Sequence, residues 1–123
     1  MSDSYRDLVA WKKAMELATA LHRASGRFPK SETYALTVQL RKSAYSVPSN
    51  IAEGKGRDSK TEFVMFLYRA RGSLYEAQTQ VEIARNLEYI SQEEFATLNE
   101  RCAEVGKVLN GLIRSVERQL GPA

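Results

Sequence analysis

A single cysteine, a single histidine and three prolines are all that this 123-residue chain holds of the residues that staple, ligate or interrupt a fold. The lone Cys102 cannot close an internal disulfide, which fits a reducing compartment. The lone His22 excludes the di-iron centres that helical bundles host, because those need a Glu-x-x-His pair on two helices and no such pair occurs. Glu53, Glu76 and Glu82 would supply carboxylates only. No apolar run approaches the roughly 20 residues that cross a bilayer. The opening Met1-Ser2-Asp3-Ser4-Tyr5-Arg6-Asp7 lacks the basic-then-apolar order of a secretory signal. A cytoplasmic protein with no membrane partner is the expectation. A glycine-rich nucleotide fingerprint is missing too: Gly54-Lys55-Gly56-Arg57 has neither a preceding strand nor the Lys-Ser/Thr ending of a phosphate loop. With no catalytic residue, cofactor, metal ligand set or small-molecule site in view, the chain reads as a non-enzyme.

What is there suits one domain over residues 1–123, since domains commonly run to roughly 100–150 residues. A chain of this length buries about two-thirds of its unfolded surface, enough for one core without staples. The net charge is +3, and the basic excess sits early: residues 1–30 hold six bases against three acids, whereas residues 91–123 hold four against five. A pI near 9.1 permits contact with nucleic acid without demanding it.

Apolar residues recur at three- and four-residue spacing in four stretches, which predicts four amphipathic helices near residues 7–24, 32–53, 60–86 and 92–119. The first carries Leu8, Trp11, Met15 and Ala18, with Ala14, Leu17 and Leu21 beside them, and Gly26 and Pro29 close it. The second opens near Ser31 or Thr33 and aligns Leu36, Leu40, Ala44, Val47 and Ile51. Pro48 interrupts that stripe by removing an amide and crowding the carbonyl four residues earlier. The register survives to Ile51, so a kinked helix ending at Gly54 competes with one that stops near Tyr45 and restarts.

Ser59-Lys60-Thr61-Glu62 and Ser91-Gln92-Glu93-Glu94 are capping boxes that open the third and fourth helices. The third points Phe63, Phe66, Ala70, Leu74, Ala77, Val81 and Ala84 inward. The fourth keeps a heptad through Phe95, Leu98, Cys102, Val105, Leu109, Leu112 and Val116, and Gly121-Pro122 ends it. On that stripe Cys102 behaves as a small apolar group; a nucleophilic thiolate would want an exposed, electropositive place. Short connections between four such helices predict an all-α, antiparallel up-down-up-down four-helix bundle.

Two features exceed what a bundle needs. Phe63-Val64-Met65-Phe66-Leu67-Tyr68 is apolar around the whole helix circumference, although one stripe would serve the core. Val64, Met65, Tyr68 and, seven residues on, Tyr75 are therefore candidates for an interface with another copy, with Tyr34 and Tyr45 as a second aromatic set. The alternative is that loops and neighbouring side chains cover the ring. Second, Lys55, Arg57 and Lys60 surround the start of the third helix, where free amides and the helix dipole favour an anion. That corner is a candidate phosphate contact; the alternative is a solvated polar turn. Gly72, Gly106 and Gly111 sit inside helices and read as close-packing sites.

The run Leu40-Arg41-Lys42-Ser43-Ala44-Tyr45-Ser46-Val47-Pro48-Ser49-Asn50-Ile51-Ala52-Glu53-Gly54 resembles the signature of the 23S rRNA intervening-sequence protein family. The resemblance extends upstream to Tyr5 through Ala14 and downstream to Phe63, Phe66, Ala70, Gly72, Ser73 and Glu76. It implies a four-helix bundle assembled as a ring of five subunits. The family is also similar to the accessory proteins of diversity-generating retroelements, pentameric bundles that bind RNA and a reverse transcriptase. On that footing the expected partners are the chain itself, as a homopentamer, and RNA or a nucleoprotein, with Arg41, Lys42, Lys55, Arg57 and Lys60 as the available cations. A self-assembling scaffold with a protein partner and no nucleic-acid role is the alternative. Pro48, Asn50, Glu53 and Gly54 match the signature but have structural roles open to them: Pro48 can bend the helix, and Gly54 can turn left-handed past its end. Asn50 and Glu53 can bond the backbone freed by the proline, or a neighbouring helix.

Overall fold

The computed structural model describes residues 4–121, and four α-helices account for most of them. They are α1 (Val9–Ser25), α2 (Leu36–Lys55), α3 (Lys60–Asn86) and α4 (Gln92–Leu120), with single 3-10 turns at Tyr5–Asp7 and Lys30–Glu32. Each helix packs against its neighbours in sequence, and α4 returns to α1, while the diagonal pairs stay apart. That is the antiparallel bundle the periodicity predicts, with the core on its axis. Pro122 of the expected Gly121-Pro122 stop lies outside the described residues.

The serine half of each capping box forms: Ser59 Oγ accepts from the Glu62 amide at 3.2 Å, and Ser91 Oγ accepts from the Glu94 amide at 3.0 Å. The end of α3 is a left-handed closure on Glu88 (φ 63°), where the Tyr89 amide reaches back to the Ala84 carbonyl at 2.9 Å. The start of α2 differs from expectation. Neither Ser31 nor Thr33 caps it. Ala35 breaks the backbone (φ −124°, ψ −104°), and the Leu36 amide donates to the Glu32 carboxylate at 3.2 Å. The other Glu32 oxygen accepts the Tyr89 hydroxyl at 2.6 Å, so a contact from beyond α3 helps set where α2 begins.

Pro48 lies inside an uninterrupted α2, which removes the reading of a stop near Tyr45. Both Val47 and Pro48 are buried. The helix runs past Gly54 to Lys55, and Gly54 is helical, not left-handed. It is glycine because α3 crosses there: a Cβ on Gly54 would stand 2.6 Å from Phe66 Cβ and 3.0 Å from a Phe63 ring carbon. Among the three helical glycines read as packing sites, only Gly106 has a neighbour, Leu74 at 3.4 Å from an added Cβ; Gly72 and Gly111 face open space.

Three stripes are re-centred by packing. In α1 the buried line is Ala10, Ala14, Leu17, Leu21 and Ala24, and Met15 is exposed. Small alanines let neighbouring backbones close on α1, so its larger Trp11 and Met15 are turned to the margin. In α4 the expected Leu112 is only half-buried and Ile113 takes its place. A straight helix has 3.6 residues per turn, so a strict heptad drifts off its face within a few turns. In α3 the apolar ring is mostly inside: Phe63, Val64, Phe66 and Leu67 are buried, leaving Met65 and Tyr68 outward. α3 is held by α2 on one side and α4 on the other, so its covered arc is wider than one stripe.

Candidate nucleic-acid interface

The α2–α3 corner gathers cations over aromatic rings. The Lys55 ammonium lies 5.9 Å from the Phe63 ring centre. The Arg57 guanidinium lies 4.7 Å from the Phe66 ring centre, and the Arg69 guanidinium stands at the same distance. Lys60 is exposed at the first position of α3. Cation–aromatic contacts of this kind draw the charge to the ring face and help to hold it in place. Arg57 also pairs with Glu53 four residues back at 2.8 Å, which offsets part of its charge. Arg69 was missed in the sequence. Its signal is there, three residues after Phe66 on the same helix face, but only the crossing of α2 over α3 brings Arg57 to that ring.

The five cations named as available are not gathered in one place. Arg41 lies 14 residues before Lys55 on α2, about 20 Å along the helix. Its guanidinium is engaged at the end of α1, donating to Ser25 Oγ at 2.8 Å and to the His22 carbonyl at 3.2 Å. The His22 carbonyl also accepts from the Gly26 amide and the Ser25 hydroxyl, so Arg41 joins a bonded cluster at the end of α1. Lys42 beside it is exposed, away from the corner. The early basic excess is also partly neutralised across space, because Lys13 pairs with Glu104 and Arg27 with Glu94, both on α4.

In the signature, Ser46 bridges α2 to α3 with Asn50 behind it, while Glu53 pairs with Arg57 and reaches neither the freed backbone nor another helix. Asn50 donates from Nδ2 to the Ser46 carbonyl and to Ser46 Oγ, each at 2.8 Å. Ser46 Oγ meets Ser73 Oγ of α3 at 2.7 Å. The carbonyl that Pro48 leaves without its usual amide is that of Ala44, so Asn50 serves a bridge between helices more than the proline's gap.

On the outer side of α3, Met65, Tyr68 and Tyr75 are exposed, as expected, and Gly72, Thr79 and Ile83 continue their line. Val64 is buried in the core and leaves the candidate interface. Tyr68 is tied to its own chain: its hydroxyl donates to Glu117 at 2.8 Å, which raises its pKa above the ordinary tyrosine value. The Arg71 guanidinium covers its ring at 4.6 Å. Tyr34 stands almost wholly in solvent in the turn before α2, and Tyr45 stacks against His22, whose Nδ1 lies 2.5 Å from the Tyr45 hydroxyl.

Among the described residues no group of three His, Cys, Asp or Glu side chains could hold a metal ion, and no helix is long and apolar enough to cross a membrane. Cys102 is fully buried, and desolvation pushes its thiol up to about 12. An unfolded chain releases that proton near the ordinary value of 9.0, so the thiol's contribution to stability is complete below pH 9 and is lost as pH rises toward 12. Chemical denaturation above pH 9 is therefore expected to show stability falling by up to about 1.4 kcal/mol per pH unit from this group. Cys102→Ala should flatten that part of the slope; identical pH profiles would refute the assignment.

The model of one family, the 23S rRNA-intervening sequence protein, matches residues 6–111, which takes in α1, α2, α3 and most of α4. The chain belongs to that family. The family's match covers the Pro48–Gly54 signature and the basic corner alike. A crystal structure of a protein of unknown function from the S23 ribosomal protein family of Bacteroides thetaiotaomicron superposes with a TM-score of 0.80 at 24% identity, covering 85% of this chain and 98% of that one. At that identity the likeness speaks to the fold alone. No curated protein matches the chain.

Proposed function

We propose that this family member is a non-enzymatic, homo-oligomeric accessory protein that binds RNA or a nucleoprotein through the α2–α3 corner. The observation that carries the reading is the convergence of Lys55, Arg57 and Lys60 at the start of α3, where the helix dipole adds to their field, with Arg69 joining Arg57 at the Phe66 ring further along. Phosphate neutralisation by such a group gives an affinity that falls steeply with salt. Fluorescence anisotropy with labelled RNA across a salt series tests it. The triple variant Lys55→Gln, Arg57→Gln, Lys60→Gln is expected to bind roughly tenfold or more weakly, with a salt slope reduced by about 0.7 for each single-strand phosphate those cations neutralise. An unchanged affinity and slope would end the RNA reading.

The outer line of α3 favours a second part of the proposal, and would stand without the first. Exposed Met65, Tyr68 and Tyr75 with the open notch at Gly72 suit contact with another copy, since aromatic and methionine side chains are enriched where proteins meet. A ring of five, as the family resemblance implies, is the expected assembly. If the triple variant keeps its binding partners and its mass, the chain is better described as a scaffold whose partners are itself and another protein. A monomeric mass by light scattering across micromolar concentrations would refute self-association.

A further inference from the structure

The corner encloses more than charge. A half-open cavity of about 650 Å³ lies between the α2–α3 turn and the last turns of α4, within the roughly 300–1,000 Å³ of ordinary ligand pockets. Lys55, Arg57, Lys60 and Phe63 line it from the α2–α3 corner, and Leu112, Ser115 and Val116 line it from α4. A duplex presents phosphates and sugar edges outward and keeps its base faces stacked, so it needs the cations and has no use for the apolar wall. An unpaired nucleotide needs both, because its phosphate is anionic and its base has a broad apolar face.

Resting on the RNA-binding reading above, we propose that this cavity receives one unpaired nucleotide of an RNA strand. The phosphate sits at the Lys55–Arg57–Lys60 side and the base lies against Phe63, Leu112 and Val116. Asp58, which also lines the cavity, offers a carboxylate acceptor to an exocyclic amino group of the base. α4 thereby gains a part in recognition that its balanced charge does not suggest.

The test compares three labelled or competing polyanions by anisotropy: a single-stranded oligoadenylate, a blunt RNA duplex of the same length, and inorganic polyphosphate. Wild-type protein is expected to prefer the single strand over the duplex by roughly tenfold, the worth of one base held against an apolar surface. Ser115→Trp, which adds bulk to the α4 wall of the cavity and replaces none of the cations, should abolish that preference while leaving duplex and polyphosphate binding and their salt slopes unchanged. Leu112→Ala, a milder change of a half-buried side chain, should weaken single-strand binding alone, so the result survives if the tryptophan variant fails to fold. Equal binding of single strand and duplex, unaffected by either variant, would overturn the cavity's role and leave polyanion binding intact. No binding of any of the three by the wild type would sink both readings.

Discussion

Leu67→Ala is expected to lower the free energy of unfolding by about 2–5 kcal/mol, the range for removing a fully buried leucine. Met65→Ala, two residues away in the same apolar run, should change the stability of a single subunit by less than about 0.5 kcal/mol. Leu67 is wholly enclosed, and its loss leaves a void that the crossing of α2, α3 and α4 cannot close, because all three helices are tied by other contacts. Met65 is about half exposed at 51% and fills no space in the core. Urea denaturation of the two variants reads the difference directly. Equal losses would mean that the apolar run is not divided as the fold divides it. The pair also separates fold from assembly: Met65→Ala should cost oligomer mass in light scattering if the outer line of α3 is where copies meet.

Gly54→Ala should destabilise the bundle, against the usual gain of up to about 1 kcal/mol for replacing a helical glycine. The new methyl carbon would stand 2.6 Å from Phe66 Cβ, and that atom moves only if α3 moves. Overpacking of this kind costs about 1–3 kcal/mol or more, so the net effect is expected to be a loss. Gly72→Ala provides the control, because an added Cβ there meets nothing within 4 Å. It should stabilise an isolated subunit by about 0.5–1 kcal/mol. Denaturation midpoints that move the same way for both would refute the close crossing of α2 and α3. A Gly72→Ala protein that is stable yet no longer associates would place that notch at a contact between subunits.

The contrast between these glycines marks how far the sequence could be read. The pattern puts Gly72 inside a helix and Gly54 at the end of one, whereas both are helical in the structure. Nothing within four residues of either shows that one lies beneath Phe66 and the other beneath solvent. The same holds for the cations. Arg41 and Lys42 stand in the family signature beside each other, yet the Arg41 guanidinium is engaged at the end of α1, and Arg69 reaches the corner through Phe66. Val64 failed as an interface residue for the same reason that Leu67 belongs to the core: α3 has two neighbours, and the width of its covered arc depends on both. The serine caps at Ser59 and Ser91 came through correctly because their chemistry is complete within one helical turn.

The sequence by itself determined four helices, the starts of α3 and α4, a core of small and branched apolar residues, and the basic turn between α2 and α3. Periodicity and capping are local, acting over three or four residues. Only the tertiary structure decided which side of the apolar run is covered, why Gly54 admits no side chain, where α2 begins, and which cations face outward. Those outcomes depend on atoms from other helices, such as the Phe66 Cβ over Gly54, the Tyr89 hydroxyl on Glu32, and the His22 carbonyl that holds Arg41.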